Sequence, residues 1–210
     1  MKSYDTYLFD FDGTLFDTAK SLGPVFRMGF QAIGMDCKDE DALTYMHMSL
    51  QEAAKVAGVP DERFIDFVMG ILKALDDESS LKMIEIFPES EEVVRALVKQ
   101  GKNIGIVSGN GGSHIRLVLS RFGMDDLFTA ISGSDEYKNG KPSAEPILLA
   151  LSKLGIGGEN AVYVGDSLQD IKCAENAKID GILVDRKNEH PDFAGTKIES
   201  LRSLLIGGCE

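Results

Sequence analysis

The residues best suited to chemistry are carboxylates that recur just after short apolar runs. Asp10 and Asp12 close the run Tyr4 to Phe9 in the stretch Asp10-Phe11-Asp12-Gly13-Thr14. In extended chain, side chains at i and i+2 project to the same side, so both carboxylates reach one spot as a strand ends. Like charges that close repel, so one pKa rises or a divalent cation neutralises the pair. Either outcome serves phosphoryl transfer. An ordinary Asp, with a pKa of about 3.9, is anionic at neutral pH and can attack phosphorus without a base. A neighbour with a raised pKa can protonate the leaving oxygen and later deprotonate water. Gly13 allows the backbone to turn tightly. By itself the pair also fits a surface turn of an acidic chain. An EF-hand loop is excluded, because the sixth position is Leu15 rather than Gly and the twelfth is Ser21 rather than Glu.

A second carboxylate pair, Asp166 and Asp170 in Gly165-Asp166-Ser167-Leu168-Gln169-Asp170, follows another apolar run at the start of a helical pattern. Four-residue spacing predicts one helical face, and hard oxygen ligands suit Mg²⁺. The alternative is a helix capped by Asp166 with Asp170 exposed. Ser108-Gly109-Asn110-Gly111-Gly112 lies between a strand and a helix, where a hydroxyl and backbone N–H groups can hold a phosphate. A dinucleotide fingerprint fits poorly, since His114 stands where its third Gly belongs. Lys141 sits in a rigid Gly140-Lys141-Pro142 turn; Pro142 in place of Ser or Thr excludes a Walker loop, and a solvated loop lysine is the alternative. Together these segments supply four carboxylates, a hydroxyl and a cation, the complement of a Mg²⁺ site with a phosphate clamp.

The elements that must position them are short apolar strands alternating with helices. Besides Tyr4 to Phe9, strands are predicted at 104–107, 161–164 and 181–184, with a weaker one at 128–131. Helical periodicity covers 90–100 and 145–154 between them. This alternation predicts parallel βαβ units and an α/β, Rossmann-like doubly wound sheet, whose ligands bind outside the carboxyl ends of the strands. Residues 17–87 instead carry helical periodicity, at 26–33, 40–45, 50–57 and 63–75, with no convincing strand. They predict an all-helical insertion in a core formed by 1–16 and 88–210. A net charge of −12 without a basic cluster argues against nucleic acid and anionic membranes as partners. Three scattered cysteines, Cys37, Cys173 and Cys209, suggest neither zinc nor a disulfide framework, and no apolar run is long enough for a membrane span. A cytoplasmic protein is expected.

The chain resembles the haloacid dehalogenase superfamily of aspartate-nucleophile phosphatases. DFDGTLFDT (Asp10 to Thr18), IGIVSGN (Ile104 to Asn110), GKPSAEP (Gly140 to Pro146) and VGDSLQD (Val164 to Asp170) are similar to its four motifs, in order, and 17–87 to its C1-type helical cap. The nearest group is the phosphoglycolate-phosphatase-like one. The resemblance implies Asp10 as nucleophile and metal ligand, and Asp12 as general acid/base offering its backbone carbonyl to the metal. It further implies Asp166 and Asp170 as Mg²⁺ ligands, with Asp170 direct or through water, and Ser108 and Lys141 on the phosphoryl oxygens, with Gly109 and Asn110 beside them. Gly109 departs from the family, where Asn is common, and Asn110 follows it. Within the cap, residues 45–50 resemble a specificity loop, making His47 and Ser49 candidates beside the alternatives of a buried His and a capping Ser. Arg27 and Arg63 could reach an anionic substrate or lie on solvated helix faces. The expected function is a Mg²⁺-dependent phosphatase for a small phosphorylated metabolite, monomeric or homodimeric. A sugar phosphomutase, a pyrophosphatase or nucleotidase, and a non-catalytic phosphate binder are the rivals. A dehalogenase is disfavoured, since it needs no metal carboxylates.

Overall fold

The structure is a computed structural model and describes residues 2–37, 44–45 and 48–205. Chain order runs β1 (Thr6–Phe9), β2 (Phe16–Asp17), helices α1 (Ala19–Ala32), α2 (Leu50–Val56), α3 (Phe64–Leu75) and α4 (Glu78–Leu81), then β3 (Glu85–Ile86). It continues through α5 (Ser90–Lys99), β4 (Asn103–Val107), α6 (Gly112–Arg121), β5 (Ala130–Ser132), α7 (Glu145–Leu154) and β6 (Ala161–Gly165). Last come α8 (Leu168–Asn176), β7 (Asp180–Val184) and β8 (Lys197–Ile198). Two compact units result, Met1–Phe16 with Ile86–Glu210, and Asp17–Glu85. The second ends before Phe87, the boundary read from the sequence, because the Phe87 N–H donates to the Leu15 carbonyl at 3.2 Å and ties that segment to the first unit.

The first unit is built on a six-stranded sheet in the order β5-β4-β1-β6-β7-β8. Every pairing is parallel. All four residues of β1 are buried, as are all five of β6; strands covered on both faces read as continuous apolar runs rather than alternating ones. β1 lies between β4 and β6, with Phe9 opposite Ile106 on one side and Val164 on the other. Carboxyl-terminal ends of three neighbouring strands therefore lie side by side, and Asp10, Ser108 and Asp166 are the residues that leave them. This is the sheet edge at which doubly wound folds place ligands.

Two expectations shift. The weak strand at 128–131 begins at Ala130, because Asp125–Leu127 is wound into a 3₁₀ turn just before it. Helix α1 starts at Ala19, well before Phe26, and carries Pro24 inside it. Pro24 cannot donate to the carbonyl of Lys20, yet the buried face of Val25, Phe26 and Phe30 holds the helix together through packing. The helix expected at 40–45 lies largely outside the described residues, as do His47 and Cys209.

The second unit packs its helices around Phe26, Phe30, Phe67 and Ile71, with the Phe30 and Phe67 rings 4.9 Å apart. Helices α1 and α3 approach closely at two glycines. A Cβ on Gly70 would stand 2.7 Å from the Ala32 Cβ and 3.0 Å from the Gly29 Cα, and one on Gly29 would stand 2.7 Å from the Ile71 Cγ1. Overpacking a close crossing of this kind costs about 1–3 kcal/mol. Gly70→Val should therefore lower the free energy of unfolding by that amount and the urea midpoint with it; an unchanged midpoint would show that the helices separate without cost.

Candidate active site

Asp10 leaves the central strand with its side chain buried. Lys141 approaches from the loop between β5 and α7, and its ammonium donates to Asp10 Oδ1 at 2.5 Å and to Asp170 Oδ1 at 2.7 Å. That loop is pinned by Glu145, whose carboxylate accepts from the N–H groups of Lys138 and Asn139 at 2.7 and 3.0 Å and from Asn139 Nδ2 at 2.8 Å. Asp166 stands at the end of β6, and Asp170 in the first turn of α8. The helix cap is Ser167, not Asp166: Ser167 Oγ accepts from the Asp170 N–H at 3.2 Å, and Asp170 Oδ2 accepts from the Ser167 N–H at 3.1 Å and its hydroxyl at 2.6 Å. Asp170 is thus buried rather than exposed. Tyr163, on β6, brings its hydroxyl to 3.0 Å from Asp170 Oδ1 and 2.9 Å from the Val107 carbonyl.

One oxygen from each of Asp10, Asp166 and Asp170 falls within 4.8 Å of the others. The electrostatics of this cluster are unbalanced. Burial pushes the Asp10 carboxyl well above the ordinary carboxylate range; Lys141 opposes the shift, while Asp170, Asp166 and Asp12 add to it. Burial, with Asp170 alongside, pushes Asp166 up to about 7. Asp170 resists its own burial and is held below its ordinary value by Lys141, Ser167 and Tyr163. Despite burial, Asp10 and Asp170 raise the Lys141 ammonium well above the usual lysine value. One ammonium cannot neutralise three converging carboxylates, and a divalent cation held by their hard oxygens would supply the missing charge. The donor set fits such a metal.

On the other side of Asp10, the half-buried Asp12 accepts from Asn110 Nδ2 at 2.7 Å. Asn110 is in turn fixed by its own N–H, which donates to Ser108 Oγ at 3.1 Å. Ser108 is buried, and its carbonyl accepts from the Tyr137 hydroxyl at 2.8 Å. Gly109 is exposed, with open space where a Cβ would project. Asp12 leads into a turn closed by the Gly13 N–H on the Phe16 carbonyl at 2.8 Å. Gly13 has φ +73°, and a Cβ there would collide with the Asp166 carboxylate. Glycine is required for both reasons. Thr14 Oγ1 stands 3.4 Å from Asp10 Oδ2.

The sheet edge thus gathers Asp10, Lys141, Asp166 and Asp170 into one cluster, and joins Asp12, Ser108 and Asn110 by hydrogen bonds. Tyr163, Ser167, Tyr137 and Glu145 support them and were not singled out in the sequence; Glu145, inside GKPSAEP, and Ser167, inside VGDSLQD, lay within motif-length matches that could have drawn attention. Of the residues singled out in the helical unit, Ser49 and Arg63 make contacts within it. Ser49 Oγ caps α2, accepting from the Glu52 N–H at 3.2 Å and donating to Glu52 Oε2 at 2.8 Å. Arg63 pairs with Asp66 at 3.1 Å on an exposed helix face, and Arg27 is half-buried on α1.

Comparison with known proteins agrees with this geometry. The family model for haloacid dehalogenase-like hydrolases matches residues 7–184. A pyrophosphatase, PpaX, from Listeria monocytogenes serotype 4b is 33% identical over 212 residues, 95% of each chain. A phosphoglycolate phosphatase from Salmonella paratyphi A is 30% identical over 192 residues, covering 80% of this chain and 76% of that one. Among solved structures, one from Bacteroides fragilis assigned to the haloacid dehalogenase-like hydrolases superposes with a TM-score of 0.82 at 28% identity, over 93% of this chain and 96% of that one. A haloacid dehalogenase-like family protein from Streptococcus pneumoniae shares the fold at 18% identity, with a TM-score of 0.82 over 99% of both chains. With a family model spanning the whole sheet edge and a relative one third identical along nearly its full length, the chain belongs to the haloacid dehalogenase-like hydrolases, among their phosphatases.

Proposed function

We propose that this chain hydrolyses a small phosphorylated metabolite through an aspartyl-phosphate on Asp10, with Mg²⁺ as the metal. The observation that carries the reading is the convergence of Asp10, Asp166 and Asp170 on one point beside Lys141, with Asp12 held separately by Asn110. When bound, Mg²⁺ screens the repulsion between an anionic nucleophile and an anionic phosphoryl group. Once that repulsion is relieved, an Asp10 carboxylate oxygen forms a bond to phosphorus as the bond to the leaving oxygen breaks, and Asp12 delivers a proton to that oxygen. Water then attacks phosphorus, Asp12 takes its proton, and the acyl phosphate bond breaks to free inorganic phosphate and the Asp10 carboxylate. Lys141 and the Ser108 hydroxyl hold the non-bridging phosphoryl oxygens, and the exposed Gly109 leaves room beside them. Asn110 acts mainly on Asp12, orienting its carboxyl for both proton transfers. The relatives' names suggest two substrates, phosphoglycolate and pyrophosphate; the helical insertion, with His47 and Ser49 as candidates, is where selection between them would lie. A cytoplasmic setting suits such metabolites.

A phosphate-release screen over phosphoglycolate, pyrophosphate, sugar phosphates and nucleotides, with and without Mg²⁺, tests the reading. Release of phosphate without a bisphosphate activator is expected and would set aside a mutase. Asp10→Asn should reduce turnover below a few per cent while leaving the unfolding midpoint near that of the parent; clear turnover in repurified protein would remove Asp10 as nucleophile. Chelation should stop phosphate release and added Mg²⁺ restore it, whereas activity that survives exhaustive EDTA treatment would place the chemistry elsewhere. Asn110→Ala removes a hydrogen bond to a charged group worth about 1.5–3 kcal/mol, so kcat should fall roughly ten- to hundredfold with KM nearly constant. A change confined to KM would return Asn110 to phosphate binding alone.

A further inference from the structure

Arg186 follows the last residue of β7 by two positions and is far in sequence from every residue assigned to the chemistry except those of α8. Its guanidinium nevertheless reaches the turn that carries Asp12. Nη1 donates to the Gly13 carbonyl at 2.8 Å and Nη2 to the Thr14 carbonyl at 2.9 Å. On its other side, Nε and Nη2 donate to Glu89 Oε1 at 3.2 and 3.0 Å. The plane of the group lies over the Phe87 ring, 3.8 Å from its centroid. Glu89 is 7% exposed, and the Arg186 side chain 18%. A planar fork with five donors suits two adjacent carbonyls and a carboxylate at once; an ammonium does not.

The two carbonyls bracket a constrained stretch. Gly13 holds its left-handed conformation with its Cα against the Asp166 carboxylate, and Thr14 places its hydroxyl near Asp10. Rotation of either peptide would swing Asp12 relative to Asp10. Backbone bonds within 11–16 close the turn: Gly13 to Phe16, and both Leu15 and Phe16 to the Phe11 carbonyl. The Leu15 bond also orients the Thr14 carbonyl, which shares its planar peptide; the direction of the Gly13 carbonyl, one peptide nearer Asp12, is set by Arg186.

We infer that Arg186, braced by Glu89 and Phe87, is a positioning residue for Asp12, holding the Gly13-Thr14 turn so that the Asp12 carboxyl stays in line for proton transfer. The inference rests on the proposed reading of Asp12 as the group that takes the proton from water. In that step the water oxygen bonds to phosphorus, the bond between phosphorus and the Asp10 carboxylate oxygen breaks, and the proton passes to Asp12. A loosened turn slows this step more than it slows phosphoenzyme formation from a substrate with a good leaving group, which needs little help from an acid.

The test is acid-quench measurement of phosphoenzyme, with p-nitrophenyl phosphate and Mg²⁺, in the parent, Arg186→Lys, Arg186→Ala, Glu89→Gln and Asp12→Asn. In Arg186→Lys and Arg186→Ala, kcat should fall ten- to hundredfold and KM fall with it, leaving kcat/KM changed less than threefold, and phosphoenzyme should accumulate as it does in Asp12→Asn. Glu89→Gln, which keeps a hydrogen-bonding partner, should lose less. Millimolar guanidinium should restore part of the dephosphorylation rate of Arg186→Ala and none of that of Asp12→Asn, a rescue that general destabilisation would not produce. Dephosphorylation at the parent rate in Arg186→Lys, beside slow dephosphorylation in Asp12→Asn, overturns the positioning role alone. Parent-like rates in Asp12→Asn as well would overturn the acid/base reading together with it. Should Arg186→Ala fail to fold, Arg186→Lys and Glu89→Gln decide the matter by the same measurement.

Discussion

Lys141 between Asp10 and Asp170 is the contact on which the rest of the site depends. Two buried carboxylates a few ångströms apart would repel strongly in a medium of low polarity, and the ammonium makes their approach possible. Each partner is held from outside. Asp10 is fixed by the central strand, Asp170 by the capping exchange with Ser167 and by Tyr163, and Lys141 by a loop whose shape Glu145 sets. Loss of Lys141 would leave two buried carboxylates uncompensated, whereas loss of either carboxylate leaves the ammonium paired with the other; three separate stretches of chain hold the three side chains together. The charge left over after this pairing is what a divalent cation held by the cluster would balance.

Tyr163 shows how the two halves of the sheet are tied at this point. Its hydroxyl has one proton and two acceptors within reach, the Val107 carbonyl on β4 and the Asp170 carboxylate in α8. The tyrosine thereby joins the strand leading to Ser108 to the helix that carries Asp170.

Much of this was legible in the chain, because the signals are local. A run such as Ala161-Val162-Tyr163-Val164 ended by Gly165-Asp166 reads as a buried strand with a carboxylate at its tip, and four apolar runs ended by polar residues, three of them carboxylates, define a sheet edge. The choice of Ser167 over Asp166 as helix cap was not legible, since both residue types cap well and only the third dimension shows Asp166 turned toward Asp10. Neither was the start of α1: the apolar periodicity begins at Phe26, and the helix extends back through Pro24 to Ala19. Two-residue strands such as β2, β3 and β8 carry no periodicity to detect. Arg186 was invisible for a different reason, because its partners lie about 100 and 170 positions away and an arginine in a loop carries no signature of what it will hold.

The position of β1 has a consequence for how the molecule is made. Its four residues find their partners at 103–106 on one side and 161–164 on the other. During synthesis this apolar strand emerges about a hundred residues before the first strand that covers either of its edges. Pairings of such long sequence separation form slowly, and an uncovered apolar strand is a point at which nascent chains associate with one another. Asp10 and Asp12 at its tip, and Lys2 and Asp5 before it, put charge at both ends of the segment during that interval. Charges flanking an apolar strand in this way disfavour its pairing with another chain.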